Sequence, residues 1–223
     1  MHYHLTRSAR KTVAIAIRNG VVYVRAPFYL PKKNIDQFVF EKLPWINKTV
    51  DKQNVQIEER KSFVVDYGGV LIFRGKPYPI NPCDGRYAEY DDEALHMPQG
   101  LSPLQIKATC VRLYKILAQM HISKRVAFFA KKMKVEPAAI KINSATKRWG
   151  SCSSQGSLNF AWRLIMADDA VIDYVVVHEL AHILEMNHST RFWIIVQRML
   201  PDYQQRQNQL KELQTRLNSE DWD

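Results

Sequence analysis

The stretch Val175-Val176-Val177-His178-Glu179-Leu180-Ala181-His182-Ile183-Leu184-Glu185-Met186-Asn187-His188-Ser189 decides how the rest of the chain is read. Its apolar residues extend back to Ala170, interrupted by Asp173, and Asp168 or Asp169 offers an N-cap, so the pattern predicts a buried helix running to about Glu185. Within it stands H-E-x-x-H, a known zinc-hydrolase signature. Residues i and i+4 lie one turn apart on one helix face, so the imidazoles of His178 and His182 can grip a single ion at about 2.0–2.1 Å. Glu179 is rotated away from that face and suits a different task, that of general base taking a proton from a water the metal has made acidic. Two histidines and a glutamate buried in such an aliphatic segment with no ion to satisfy them would be costly.

A catalytic zinc takes three protein ligands and leaves a position open. His188 is the leading third ligand: it follows His182 by six residues, with Asn187 able to turn the chain back as the helix ends. Glu185 is the runner-up, three residues after His182 and needing distortion to face the ion. Ser189 can cap a further helix containing Phe192, Trp193, Val196 and Leu200. The histidine spacing equals that of metzincins, although Glu185 stands where those have glycine and no methionine-turn signature can be assigned.

Working outward, the chain reads as α+β. Thr12 to Arg18 and Val21 to Ala26 alternate around Asn19-Gly20, a strong two-residue hairpin turn. Pro31 to Asn47 has helical spacing that Pro44 should kink or interrupt. Val64 to Ile80 and Tyr87 to Met97 read as short strands with turns at Gly68-Gly69, Gly75 and Asp91-Asp92. Residues 1–100 thus form a β-rich region with an inserted helix, and a boundary is expected between Pro98 and Pro103. Residues 101–223 open with a long amphipathic helix from Leu104 to Met133. Strands at Ile140 to Asn143, Arg148 to Cys152 and Ser157 to Leu164 then lead to the histidine helix.

Composition narrows the function. The 223 residues are 46% hydrophobic, enough for a proper core. No run approaches the roughly eighteen apolar residues of a membrane span, and Met1 to Lys11 lacks a signal-peptide apolar stretch, so a cytoplasmic protein without membrane attachment is expected. Cys83, Cys110 and Cys152 are odd in number and widely spaced, which argues against a disulfide framework or a cysteine-built metal site. Cys152 reads as a buried thiol. The net charge of +10 is uneven, at +7 over residues 1–62, −3 over 63–102, +10 over 103–150 and −4 over 151–223. The block 103–150, with Lys131, Lys132, Lys134, Lys147 and Arg148, is either a footprint for nucleic acid or nucleotides or a solvated face.

Arg148-Trp149-Gly150-Ser151-Cys152, Gly156, Leu158-Asn159, Ile172 to His182, Asn187-His188-Ser189 and Phe192-Trp193 together resemble the YgjP-like metallopeptidase family, which is related to SprT-like and WLM-type zincins. The resemblance implies a zincin-like catalytic domain, one Zn2+ held by His178, His182 and His188, Glu179 as base, and a peptide or protein substrate. It leaves the substrate itself open.

Other readings carry less. Arg148, Trp149, Gly150 and Ser151 are candidate substrate-binding residues, since an extended substrate can add to a strand edge and Gly150 permits close backbone approach. A purely structural strand competes equally. Asp173 could orient a ligand histidine, though a helix-surface role is favoured, and Tyr174 reads as packing. Three function classes follow: peptide-bond hydrolysis; a metal-dependent hydrolase of nucleotide phosphoanhydrides or a nucleic-acid-associated protease; and a nucleic-acid-binding module with a structural metal. The third is weakest, because closed structural sites take four protein ligands.

Overall fold

The computed structural model describes residues 1–91 and 93–222. Its contacts divide the chain into two compact units, Met1–Phe63 with Leu217–Asp221, and Val64–Arg216 with Trp222.

The first unit is a three-stranded sheet backed by two helices. Strands β1 (His4–Ser8), β2 (Ala14–Arg18) and β3 (Val21–Pro27) lie in the order β1-β3-β2, with β1 parallel and β2 antiparallel to β3. The Asn19-Gly20 hairpin forms as expected: both residues take positive φ, 51° and 74°, as a tight primed turn requires. Gln53 pins it, accepting from the Gly20 N–H at 3.0 Å and donating to the Ile17 carbonyl at 3.1 Å. Strict alternation along β3 sends Val22, Val24 and Ala26 inward against Ile35, Val39 and Ile46. The single interrupted helix expected over Pro31 to Asn47 is two helices, α1 (Lys32–Glu41) and α2 (Leu43–Ser62). Pro44 falls in the first turn of α2, where no N–H partner is needed, so it starts a helix rather than kinking one.

The second unit begins with β4 (Val70–Phe73), β5 (Lys76–Cys83), β6 (Glu89–Tyr90) and β7 (Leu95–Pro98), in the order β4-β5-β7-β6. At the expected Asp91-Asp92 turn, Asp91 accepts from the Glu93 and Ala94 N–H groups, and Asp92 lies outside the described residues. The long helix α3 (Pro103–Met133) is held at its start by Ser102 and Gln105 in a reciprocal capping box. A second sheet follows, of β8 (Ala139–Asn143), β9 (Gly150–Cys152) and β10 (Ser157–Ala161), ordered β8-β10-β9. Helices α4 (Asp169–Leu184), α5 (Thr190–Met199) and α6 (Tyr203–Leu217) complete the mixed α+β fold.

The Pro98 to Pro103 stretch, read from sequence as the domain boundary, connects β7 to α3 inside the second unit, and the division falls at Phe63 instead. Hydrogen bonds explain why residues 64–100 belong with the histidine helix. The tip of the β4–β5 hairpin docks on the segment before α4 through Arg74 N–H to Ile165 O (2.9 Å) and Gly75 N–H to Met166 O (3.1 Å). Tyr114 on α3 donates to Ile72 O at 3.0 Å. The two prolines were local punctuation, one closing a strand and one opening a helix.

Candidate metal centre

Helix α4 is apolar nearly all round, as a buried helix should be: Val171, Ile172, Tyr174 to Val177, Leu180 and Ala181 are all covered. Asp168 caps it by accepting from the Ala170 N–H at 2.9 Å. Two charged clamps fix its first turns. Arg74 grips Asp169 with two N–H groups, and Arg125 on α3 grips Asp173 at 2.5 and 2.7 Å. Asp173 is therefore a strut between α3 and α4 and does not orient a histidine. The clamps hold the N-terminal half of the helix, so the histidines two turns on project from a fixed base.

His178, His182 and His188 converge: one ring nitrogen of each lies within 4.8 Å of the others. His188 Nε2 is 3.0 Å from His178 Nε2, near the roughly 3.3 Å that two nitrogens at zinc bonding distance in tetrahedral arrangement would have. The Glu185 carbonyl lies 3.2 Å from His182 Nδ1 and can accept its proton, which leaves the Nε2 lone pair free for a ligand. His178 Nδ1 is buried without a hydrogen-bond partner among the described residues. Burial, and then the neighbouring His182 and His188, push the His178 pKa down to about 3, and burial lowers that of His182. Both rings are neutral at physiological pH, the form that binds a cation. Three converging imidazoles, one aimed by a backbone carbonyl, fit a divalent transition metal of zinc type.

Glu185 is the helix cap, and its carboxylate is not part of the metal-capable group. That side chain lies 3.9 Å from Arg191, while its backbone aims His182. His188 is delivered by the turn between α4 and α5, the latter capped by Ser189, whose hydroxyl accepts from the Phe192 N–H at 3.3 Å. Phe192 is fully buried and its ring centre sits 4.6–4.9 Å from all three imidazoles. Trp193 stacks on His188 at 5.9 Å and on Tyr203 at 5.3 Å. The sequence placed Phe192 and Trp193 on the right helix, but their role as the wall of the site is visible only once α5 folds back. Tyr174 packs edge-on against His178 at 5.9 Å, and burial pushes its hydroxyl to a pKa of about 12.

Glu179 is 5% exposed, and burial raises its pKa to about 7 against the opposing pull of the Arg148 charge. Its carboxylate lies over β9. A Cβ added to Gly150 would stand 2.5 Å from Glu179 Oε1, 2.6 Å from Cγ and 2.7 Å from Cδ. Gly150 therefore permits a close approach, though of the glutamate side chain where sequence reasoning expected another backbone. Cys152 is half-buried rather than buried; its thiol lies 3.3 Å from the Ser153 carbonyl, and burial and the Glu179 charge raise its pKa. Strand β9 pairs with β10 on one side only and forms an edge of its sheet, with Trp149 and Arg148 leading into it.

A buried glutamate beside a three-histidine cluster suits a metal-dependent hydrolase. The family model described as YgjP-like, metallopeptidase domain matches residues 11–213, and the chain belongs to the YgjP-like metallopeptidase family. No curated protein matches the chain. Among solved structures, the metallopeptidase zymogen of Pyrococcus abyssi abylysin is similar at a TM-score of 0.39 and 16% identity, over 44% of this chain and 97% of that one. Among the described residues, no helix is long and apolar enough to cross a membrane.

Proposed function

We propose that this metallopeptidase is a zinc enzyme holding one Zn2+ per chain through His178, His182 and His188, with Glu179 as general base, and that residues 101–223 carry this machinery. The observation that carries the reading is the convergence of three ring nitrogens within 4.8 Å, with Glu179 next in the chain and held in a dry niche. When bound, zinc supplies Lewis acidity, polarising the scissile carbonyl and making a water at the site more acidic. Glu179 takes the proton from that water at its carboxylate and hands it to the departing amide nitrogen. Burial raises the proton affinity of the Glu179 carboxylate, which suits it to accept a proton. Phe192 and Trp193 pack against the imidazole rings and hold them in place.

The substrate is a peptide or protein segment lying extended along the free edge of β9, where Gly150 and Ser151 offer main-chain groups and Arg148 and Trp149 flank the entry. Lys131, Lys132, Lys134, Lys147 and Arg148 are all exposed, so a nucleic acid or nucleotide could also be drawn to residues 103–150. A cytoplasmic location completes the reading. The test is zinc-loaded protein against a panel of unfolded proteins, peptides and nucleoside triphosphates, with Glu179→Gln run in parallel. Peptide cleavage absent from the variant supports the reading. Hydrolysis confined to the triphosphates would replace the peptidase by the phosphoanhydride reading, and no difference between the proteins would overturn both.

A further inference from the structure

The first unit carries a surface that the metal centre does not use. In β3 the residues that alternate with the buried set are Val21, Tyr23 and Arg25, and all three are exposed. Register places His4 of β1 and Ala16 of β2 beside Tyr23, Thr6 and Ala14 beside Arg25, and Arg18 beside Val21. The outer face of the sheet is thus an aromatic pair flanked by a cation on either side, with small residues between. Tyr23 is 39% exposed and stacks on His4 with ring centres 5.2 Å apart and planes at 23°. Arg18 and Arg25 stand at opposite ends of a run of about 13 Å, four residues of strand.

Charge on this face has one sign. Residues 1–31 contain Arg7, Arg10, Lys11, Arg18 and Arg25 and not a single Asp or Glu. The carboxylates of 1–62 begin at Asp36, on the helices that back the other face. Other arginines of the unit have work: Arg7 donates to the carbonyls of Pro27, Phe28 and Leu30, and Arg10 to Thr12. Arg18 and Arg25 have neither an ion pair nor a hydrogen bond among the described residues. Immediately after β3, Phe28 and Tyr29 add two more rings at 67% and 73% exposure, on the loop that Arg7 ties down.

We propose that this sheet face binds single-stranded nucleic acid, with one base stacking on the Tyr23–His4 platform and the flanking phosphates meeting Arg18 and Arg25. Flat aromatic rings among unpaired cations suit unstacked bases joined by phosphates, since each base has a face for a ring and each linkage a charge for an arginine. A duplex keeps its bases stacked and offers the ring nothing. Recognition is sequence-independent, because a ring stacks on any base and the arginines meet phosphates common to every strand. The surface belongs to the first unit and the basic block of 103–150 to the second, and the proposal does not rest on the zinc reading.

The test is fluorescence anisotropy of the full chain with labelled 12-mers of dT, of U and a 12-base-pair duplex, at about 50 mM and about 200 mM salt, where backbone contacts separate clearly. The single strands bind more tightly than the duplex, and comparison of dT with U distinguishes DNA from RNA as the preferred source. Tyr23→Ala weakens binding about tenfold, as expected for one lost stack, while Tyr23→Phe, which keeps the ring, binds like the unaltered chain. Replacing Arg18 and Arg25 together by Gln lowers the slope of log affinity against log salt by about 1.4, two single-strand phosphate contacts at about 0.7 each. Neutralising Lys131, Lys132 and Lys134 leaves the single-strand preference and the loss caused by Tyr23→Ala in place, as does Glu179→Gln. Duplex bound as tightly as single strands, equal loss from Tyr23→Ala and Tyr23→Phe, or a single-strand preference lost with the three lysines would each overturn the proposal. Thermal melting of every variant separates loss of binding from loss of fold.

Discussion

Replacing Gly150 by alanine adds one methyl group at the point where the strand and Glu179 touch. Its Cβ would fall 2.5, 2.6 and 2.7 Å from three atoms of that side chain, each about an ångström inside ordinary carbon contact. At 5% exposure Glu179 has no solvent to swing into, so the carboxylate or the strand must move by roughly an ångström. Overpacking of this kind costs about 1–3 kcal/mol of stability. Its effect on turnover is larger, since a displacement of about 1 Å in a positioned group can cost about 10²-fold. The backbone itself accepts alanine, because Gly150 is not among the residues with positive φ. Gly150→Ala is therefore expected to fold, to keep its zinc and to lose about 10²-fold in kcat on a peptide substrate, with a modest fall in Tm. Turnover within threefold of the unaltered protein, at equal zinc content, would refute the argument that β9 sets the position of Glu179.

Further outcomes follow from other contacts. His188→Ala should lose zinc on dialysis against a mild chelator, measured by elemental analysis, whereas Glu185→Ala should retain it because Glu185 acts through its backbone carbonyl; the reverse ranking would replace His188 by Glu185 as the third ligand. Asp173→Ala leaves Arg125 without its partner across the α3–α4 contact and should lower stability by about 1–3 kcal/mol in a urea melt. Asp169, whose pKa Arg74 holds below the usual aspartate value, contributes stability that is full above its unfolded pKa and disappears as pH falls through the folded one. Acid melts below about pH 4 should accordingly show a smaller loss for Asp169→Asn than for the unaltered chain.

Much of this was legible in residues 12–26 and 168–189. Asn19-Gly20 needs two residues with positive φ, which few sequences offer and few structures use otherwise, so the hairpin could be read locally. The histidine helix announced itself by an aliphatic run with a polar triplet at helical spacing, and Asp168 and Ser189 fell where caps belong. Strand β1 was not legible: His-Leu-Thr-Arg-Ser has no alternation strong enough to stand out, and its parallel pairing with β3 is a long-range choice. Nor was the second half of α2, with its few apolar anchors, or α6, largely polar along its length. At the site, ligand identity came from spacing along one helix and the turn after it. The Phe192 wall, the Asp173 clamp and the seat of Glu179 on Gly150 each join residues distant in sequence, and no local pattern encodes such meetings.

Three histidine ligands and one glutamate base are tested by measuring zinc content and turnover together in the unaltered protein and in Glu179→Gln. About one zinc per chain is expected in both, with peptide hydrolysis reduced by about 10²–10⁴-fold in the variant, because only the proton acceptor is gone. Glu179→Gln that still turns over substrate, or that no longer holds the metal, would contradict the division of labour between three histidine ligands and one glutamate base.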